Sequence, residues 1–151
     1  MMTGRFANIM MIGRFTNLSK RLITKSSSTT MGTIPITIPA RTFASNITRM
    51  GVDENPNMSQ TVIHNGIVYI SGQVDNTGSD VKAQTVNILD KVDTLLEEAG
   101  TDKSKLLTAN IWLKDIGIDF QDMNGVWNTW LDSDNKPVRA TGESLFDEVY
   151  R

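Results

Sequence analysis

Arg139 is the side chain whose position most needs a chemical explanation. It stands between Val138 and Ala140 in a stretch that reads as a strand, where a long cation needs a partner or a ligand. Two parallel N–H donors of a guanidinium match the two oxygens of a carboxylate, so a small carboxylate is a fitting ligand. A plain salt bridge to Glu143 is the other reading, and the pattern leaves both open. Ser71-Gly72 ends an apolar stretch, and a glycine there lets a ligand or another backbone come close. Asn124 falls inside a helical pattern and His64 just before a turn, and on pattern alone both read as structural. Trp112, Trp127 and Trp130 read as core or interface aromatics.

Composition narrows the chemistry further. The chain has no cysteine and one histidine, which excludes disulfides, thiol nucleophiles, thiolate metal sites and multi-histidine metal sites. Residues 1–52 carry seven basic side chains and no acidic one, whereas the rest of the chain carries a net charge of −9. An acidic folded part argues against nucleic acid as the main partner, because phosphates need a positive surface. Phe6 to Ile12 is the longest apolar run, far short of the roughly 20 residues that span a bilayer.

The asymmetry predicts two segments with different jobs. Residues 1–48 read as a mitochondrial targeting segment and linker, rich in Arg, Lys, Ser and Thr; a plastid address has the same composition. At helical spacing Ile12, Phe15, Leu18 and Leu22 share one arc and Arg14, Lys20, Arg21 and Lys25 the opposite one. Residues 25–30 cannot bury apolar surface, and Ile34 to Pro39 is broken by proline. Arg41-Thr42-Phe43-Ala44-Ser45 resembles a cleavage site, so a matrix form would begin near Ala44.

Residues 49–151 read as one α+β domain. Thr61 to His64 and Ile67 to Ile70 flank Asn65-Gly66, a pair that favours the positive φ angles of a two-residue hairpin turn. Asp80 to Ala99 repeats apolar residues at three and four, with Ser79 or Asp80 as cap and Gly100 as stop. Leu107 to Lys114 alternates as a half-buried strand. A second helix capped by Asp119 and a strand over Pro137 to Phe146 complete the order β-β-α-β-α-β, two helices on one face of a sheet.

These residues also carry a resemblance. Met58-Ser59, Val62-x-His64-Asn65-Gly66, Ser71-Gly72-Gln73-Val74, Ile111 to Asp115, Met123-Asn124-x-Val126-Trp127 and Pro137-x-Arg139-Ala140-Thr141 together resemble the RidA/YjgF family, from about Arg49 to Phe146. The resemblance implies a chorismate-mutase-like fold with a mixed sheet and a homotrimer with ligand pockets between subunits. It also implies hydrolysis of reactive enamines and imines of the 2-aminoacrylate type to 2-keto acids and ammonia, with neither metal nor organic cofactor. Non-catalytic binding of a small carboxylate, or stabilisation of a partner protein, is the alternative. Residue by residue, the resemblance makes Arg139 the grip on the substrate carboxylate, with Ser71, Gly72 and Asn124 as pocket residues. Thr141 stands where many members have cysteine, and Met58 near the place of a pocket tyrosine. Family members continue past the equivalent of Phe146 into a final apolar strand bearing an acidic pocket residue. This sequence ends at Arg151, so the resemblance implies a sheet short of one strand, with unpaired backbone groups and uncovered core.

Overall fold

A computed structural model of the chain describes residues 7–14 and 46–144. Six strands form one mixed sheet in the order β2-β3-β4-β1-β5-β6, and two helices cover one of its faces. The strands are β1 (Ala7–Arg14), β2 (Thr48–Met50), β3 (Thr61–His64), β4 (Ile67–Val74), β5 (Leu106–Leu113) and β6 (Val138–Glu143). The helices are α1 (Val81–Glu98) and α2 (Ile116–Trp130). All strand pairs run antiparallel except β5 and β6.

Local chemistry accounts for most of these elements. The β3–β4 hairpin turns on Asn65 at φ 51° and Gly66 at φ 76°, as the Asn-Gly pair predicts. Asp80 caps α1, its carboxylate accepting from the Ala83 amide at 2.9 Å, and Gly100 follows the helix at φ 72°. Asp115 caps α2 by accepting from the Ile118 amide at 3.0 Å. The expected cap, Asp119, instead lies buried in the first turn of that helix. Between β4 and α1, Asp75 anchors the loop by accepting from Gly78, Thr77 and Asn87. Burial pushes its carboxyl upward, yet these hydrogen bonds outweigh burial and hold it below the usual carboxylate value.

The largest correction concerns the first fifty residues. Residues 7–14, assigned from sequence to a targeting segment, form the central strand of the sheet. The boundary between residues 48 and 49 therefore does not contain the fold. Ile12, placed on the apolar arc of a helix, lies in β1 opposite Tyr69 and Thr108; the other members of that arc lie outside the described residues. The linker over residues 34–39, the cleavage site over residues 41–45 and everything beyond Ser144 are outside them too.

β1 pairs with β4 on one side and β5 on the other, so the centre of the sheet is not short of a strand. Its sequence suits the position: Ile9 and Met11 are fully buried under the helices, while Met10 and Ile12 alternate onto the uncovered face. Ile9 and Met11 share the core with Val68, Ile70, Val92, Leu96, Ala109 and Ile111. Thr101 Oγ1 donates to the Arg14 carbonyl and ties down the strand's far end.

If β1 is an integral strand, Ile9→Ala and Met11→Ala should each cost roughly 2–5 kcal/mol in urea unfolding. Ile118→Ala, at an exposed position of α2, should stay within about 0.5 kcal/mol. Unchanged midpoints for both strand variants would mean that the sheet stands without them.

Candidate functional site

Arg139 leaves β6 on the helix-covered side, since it lies opposite the buried Ala109 of β5. There it meets the flank of α2. Its Nη1 donates to Asn124 Oδ1 at 2.8 Å. The guanidinium carbon lies 5.5 Å from the Trp127 ring centroid and 5.9 Å from that of Phe120. Two aromatic rings and one amide thus hold the cation in place, a favourable setting for a delocalised guanidinium. Burial lowers its pKa below the ordinary arginine value; an arginine still remains charged at neutral pH. The salt bridge to Glu143 does not form: Glu143 Oε2 accepts instead from the Ile116 amide at 3.0 Å, at the start of α2. Arg139 therefore has an amide partner and no carboxylate among the described residues, with further N–H donors left to grip an anion.

Thr141 lies two residues along the same face of β6, opposite Ile111, and its buried hydroxyl has no hydrogen-bond partner. A buried unpaired hydroxyl costs free energy unless a ligand or water completes it. Asn124, Arg139 and Thr141 are brought to one side of the sheet at its β6 edge.

Ser71 and Gly72 belong to a different place. Ile9 faces Gln73 and Met11 faces Ile70, so Ser71 and Gly72 form a bulge in β4 opposite Met10. Ser71 Oγ donates to Gln60 Oε1 at 3.1 Å, and Gln73 Nε2 donates to the same oxygen at 3.1 Å. Gly72 is approached by the side chain of Asn8 on β1: a Cβ at Gly72 would stand 2.7 Å from Asn8 Oδ1. That oxygen is itself buried without a partner. Strand spacing puts β4 roughly 14 Å from β6, so a single chain does not join this polar cluster to Arg139. Met58 is exposed in the loop before β3 and is drawn into neither group.

Sequence reasoning missed Asn8, Gln60 and Gln73. Only Gln73 carried a hint, through its place beside Ser71-Gly72; Asn8 was hidden in the basic segment. The tryptophans behave as expected of packing residues: the Trp127 and Trp130 rings pack at a tilt of 47° with centroids 5.4 Å apart, and the Trp130 indole donates to Asp93 at 2.8 Å. His64 Nε2 lies 3.0 Å from Asn65 Nδ2, and its buried Nδ1 has no hydrogen-bond partner. A hollow of about 550 Å³ between α1 and α2, lined by Val86, Leu89, Val126 and Trp130, contains no residue of either group.

If Asn124 positions the guanidinium, Asn124→Ala should weaken the binding of a short 2-keto acid roughly tenfold, the loss of one hydrogen bond to a charged group. Titration calorimetry with 2-oxobutyrate reads it. Unchanged affinity would leave Asn124 as a bystander.

The endoribonuclease L-PSP family model matches residues 52–144. The RutC family protein YoaB of Escherichia coli is 38% identical over 106 residues, 70% of this chain and 92% of its own length. The crystal structure of a YjgF-family protein from Neisseria meningitidis superposes with a TM-score of 0.65 at 35% identity, covering 70% of this chain and 86% of that one. A Rid-family protein of unknown function from Yersinia pestis gives a TM-score of 0.58 at 27% identity, covering 66% and 86%. With this sheet, these two helices and a match across most of the described residues, the chain belongs to the endoribonuclease L-PSP family, the group of the YjgF and RutC proteins.

Proposed function

We propose that this chain hydrolyses reactive enamines and imines of the 2-aminoacrylate type, releasing a 2-keto acid and ammonia. One observation carries the reading: Arg139 is fixed by Asn124 beside Phe120 and Trp127, and its remaining N–H donors have no carboxylate partner among the described residues. The substrate's carboxylate would sit on that fork. Its C=N carbon then lies near the unpaired Thr141 hydroxyl, which can hold the attacking water. Water adds to the imine carbon, the C–N bond breaks, and nitrogen leaves as ammonia while oxygen stays as the ketone. An imine is already electrophilic, so orientation and shielding from bulk water supply much of the acceleration.

The separation of Arg139 from the Ser71-Gly72 bulge supports pockets shared between copies, as a homotrimer would make them. The uncovered sheet face also supports assembly: Met10, Tyr69, Val74 and Val138 are all exposed. In such an assembly the bulge of one copy and the arginine of the next would close on one substrate. The basic, acid-free composition of residues 1–52 supports delivery to the mitochondrial matrix, with residues 7–14 retained in the imported chain as β1.

Non-catalytic binding of a small carboxylate is the second reading, and one observation favours it. Among the described residues, Asn124, Phe120, Trp127 and Thr141 stand around Arg139, and none of these four is an ionisable base. RNA cleavage, the activity in the family model's description, has less support here. The chain beyond residue 52 is strongly acidic, and the single histidine is engaged with Asn65.

A coupled assay tests the proposal. A serine or threonine dehydratase generates the imine, and semicarbazone trapping is followed with and without the chain. Wild type should suppress trapping, and Arg139→Ala should lose at least a hundredfold in that effect, about 3 kcal/mol. If neither protein alters trapping while wild type alone binds 2-oxobutyrate, the binding reading replaces the catalytic one.

A further inference from the structure

β1 is joined to its neighbours by pairing and not by connection. In the sheet it lies between β4 and β5, whereas the next strand in sequence, β2, lies at the far edge beyond β3 and β4. A tight turn dictates that β3 pairs with β4 of the same copy. Among the described residues no tight turn joins β1 to either neighbour; it is held by pairing, with Met11 facing Ile70 on one side and Ala109 on the other, and by the Thr101 bond to the Arg14 carbonyl. Residues 15–47 connect β1 to β2. Fully extended, such a length reaches roughly 100 Å, far beyond the roughly 13 Å radius of gyration of a domain of this size.

The slot is specific about its occupant. It requires a strand antiparallel to both neighbours, apolar toward the helices at two alternate positions, with Asn8 set over Gly72 and Gly13 against Leu96. Every copy of the chain carries one such strand. We propose that the slot between β4 and β5 accepts residues 7–14 of its own chain or of a second copy, so that the protein forms strand-exchanged dimers. The exchanged dimer keeps every pairing and buried contact of the single chain, which is why exchange of an identical element costs little. The connection holds the chain's own strand at an effective concentration of about a millimolar. Self-insertion therefore dominates in dilute solution, and exchange grows with concentration. An assembly through the uncovered sheet face is a different contact, since Met11 and Ala109 face the helices.

The absence of cysteine gives a clean test. Full-length Met11→Cys and full-length Ala109→Cys are unfolded, mixed, refolded under reducing conditions and then oxidised. Facing residues in an antiparallel pair stand at a separation that a disulfide spans. A disulfide-linked heterodimer should take up about a quarter of the chains at about 1 mM, since half of the exchanged dimers pair unlike variants, and should fall roughly tenfold for each further tenfold dilution. Each variant alone should give none. The Met11→Cys/Ala109→Cys double variant should close its bridge within one chain in dilute solution. A mixture that stays unlinked at 1 mM while the double variant closes would overturn the proposal. A double variant that never closes would overturn it too, by removing the register on which it rests.

Discussion

The structure depends on joining two strand edges. Without β1, the facing edges of β4 and β5 would each present a row of unpaired amides and carbonyls in the middle of the sheet, beneath α1. Residues 7–14 satisfy both rows at once and place Ile9 and Met11 in the same core as Val92 and Leu96 of α1. The seat of α1 on the sheet and the alignment of β5 with its neighbours follow from that pairing. β6 then pairs with β5, and Arg139 comes to face α2.

The same strand shapes the candidate site. β1 passes over the Ser71-Gly72 bulge and sets Asn8 against Gly72, where a Cβ would leave no room for it. Two intervening strands, β1 and β5, hold the two halves of the polar machinery apart: the cluster of Gln60 with Ser71 and Gln73 of β4, and the Arg139 and Asn124 pair at the β6 edge. Each half has a buried oxygen without a partner, Asn8 Oδ1 in one and Thr141 Oγ1 in the other. Unpaired polar atoms at both places are what a site completed by a ligand, and by a neighbouring copy, would leave in a single chain.

Where the sequence was legible, local chemistry set the outcome. The Asn65-Gly66 turn, the Asp80 cap of α1 and the alternation of β5 from Ala109 to Leu113 depend on residues a few positions apart and appear as the pattern predicts; Leu107, expected on the buried face, is exposed, and Leu106 is buried instead. Arg139 was legible as a cation needing company, but its choice of Asn124 over Glu143 depends on how α2 packs on the sheet, which spacing along β6 does not contain. The cap of α2 moved from Asp119 to Asp115 because two aspartates four residues apart offer the same local chemistry, and burial in the first turn took one of them. β1 was illegible for a deeper reason. A short apolar run such as Phe6 to Ile12 fits a buried strand or one face of a helix equally, and the basic, serine-rich surroundings weighed toward a targeting helix. Its partners lie far along the chain, so no local signal announced the pairing.

Native-state hydrogen exchange tests the central strand most directly. Amides in a strand paired on both sides open only with the sheet, whereas those of a loosely held terminus exchange near the rate of an unstructured peptide. The amides of residues 9–12 should exchange with the same opening free energy as Ala109 and Ile111 of β5, at the limit set by global unfolding. Fast exchange of residues 9–12 beside a protected β5 would contradict it, and would leave the centre of the sheet to be filled by something other than residues 7–14.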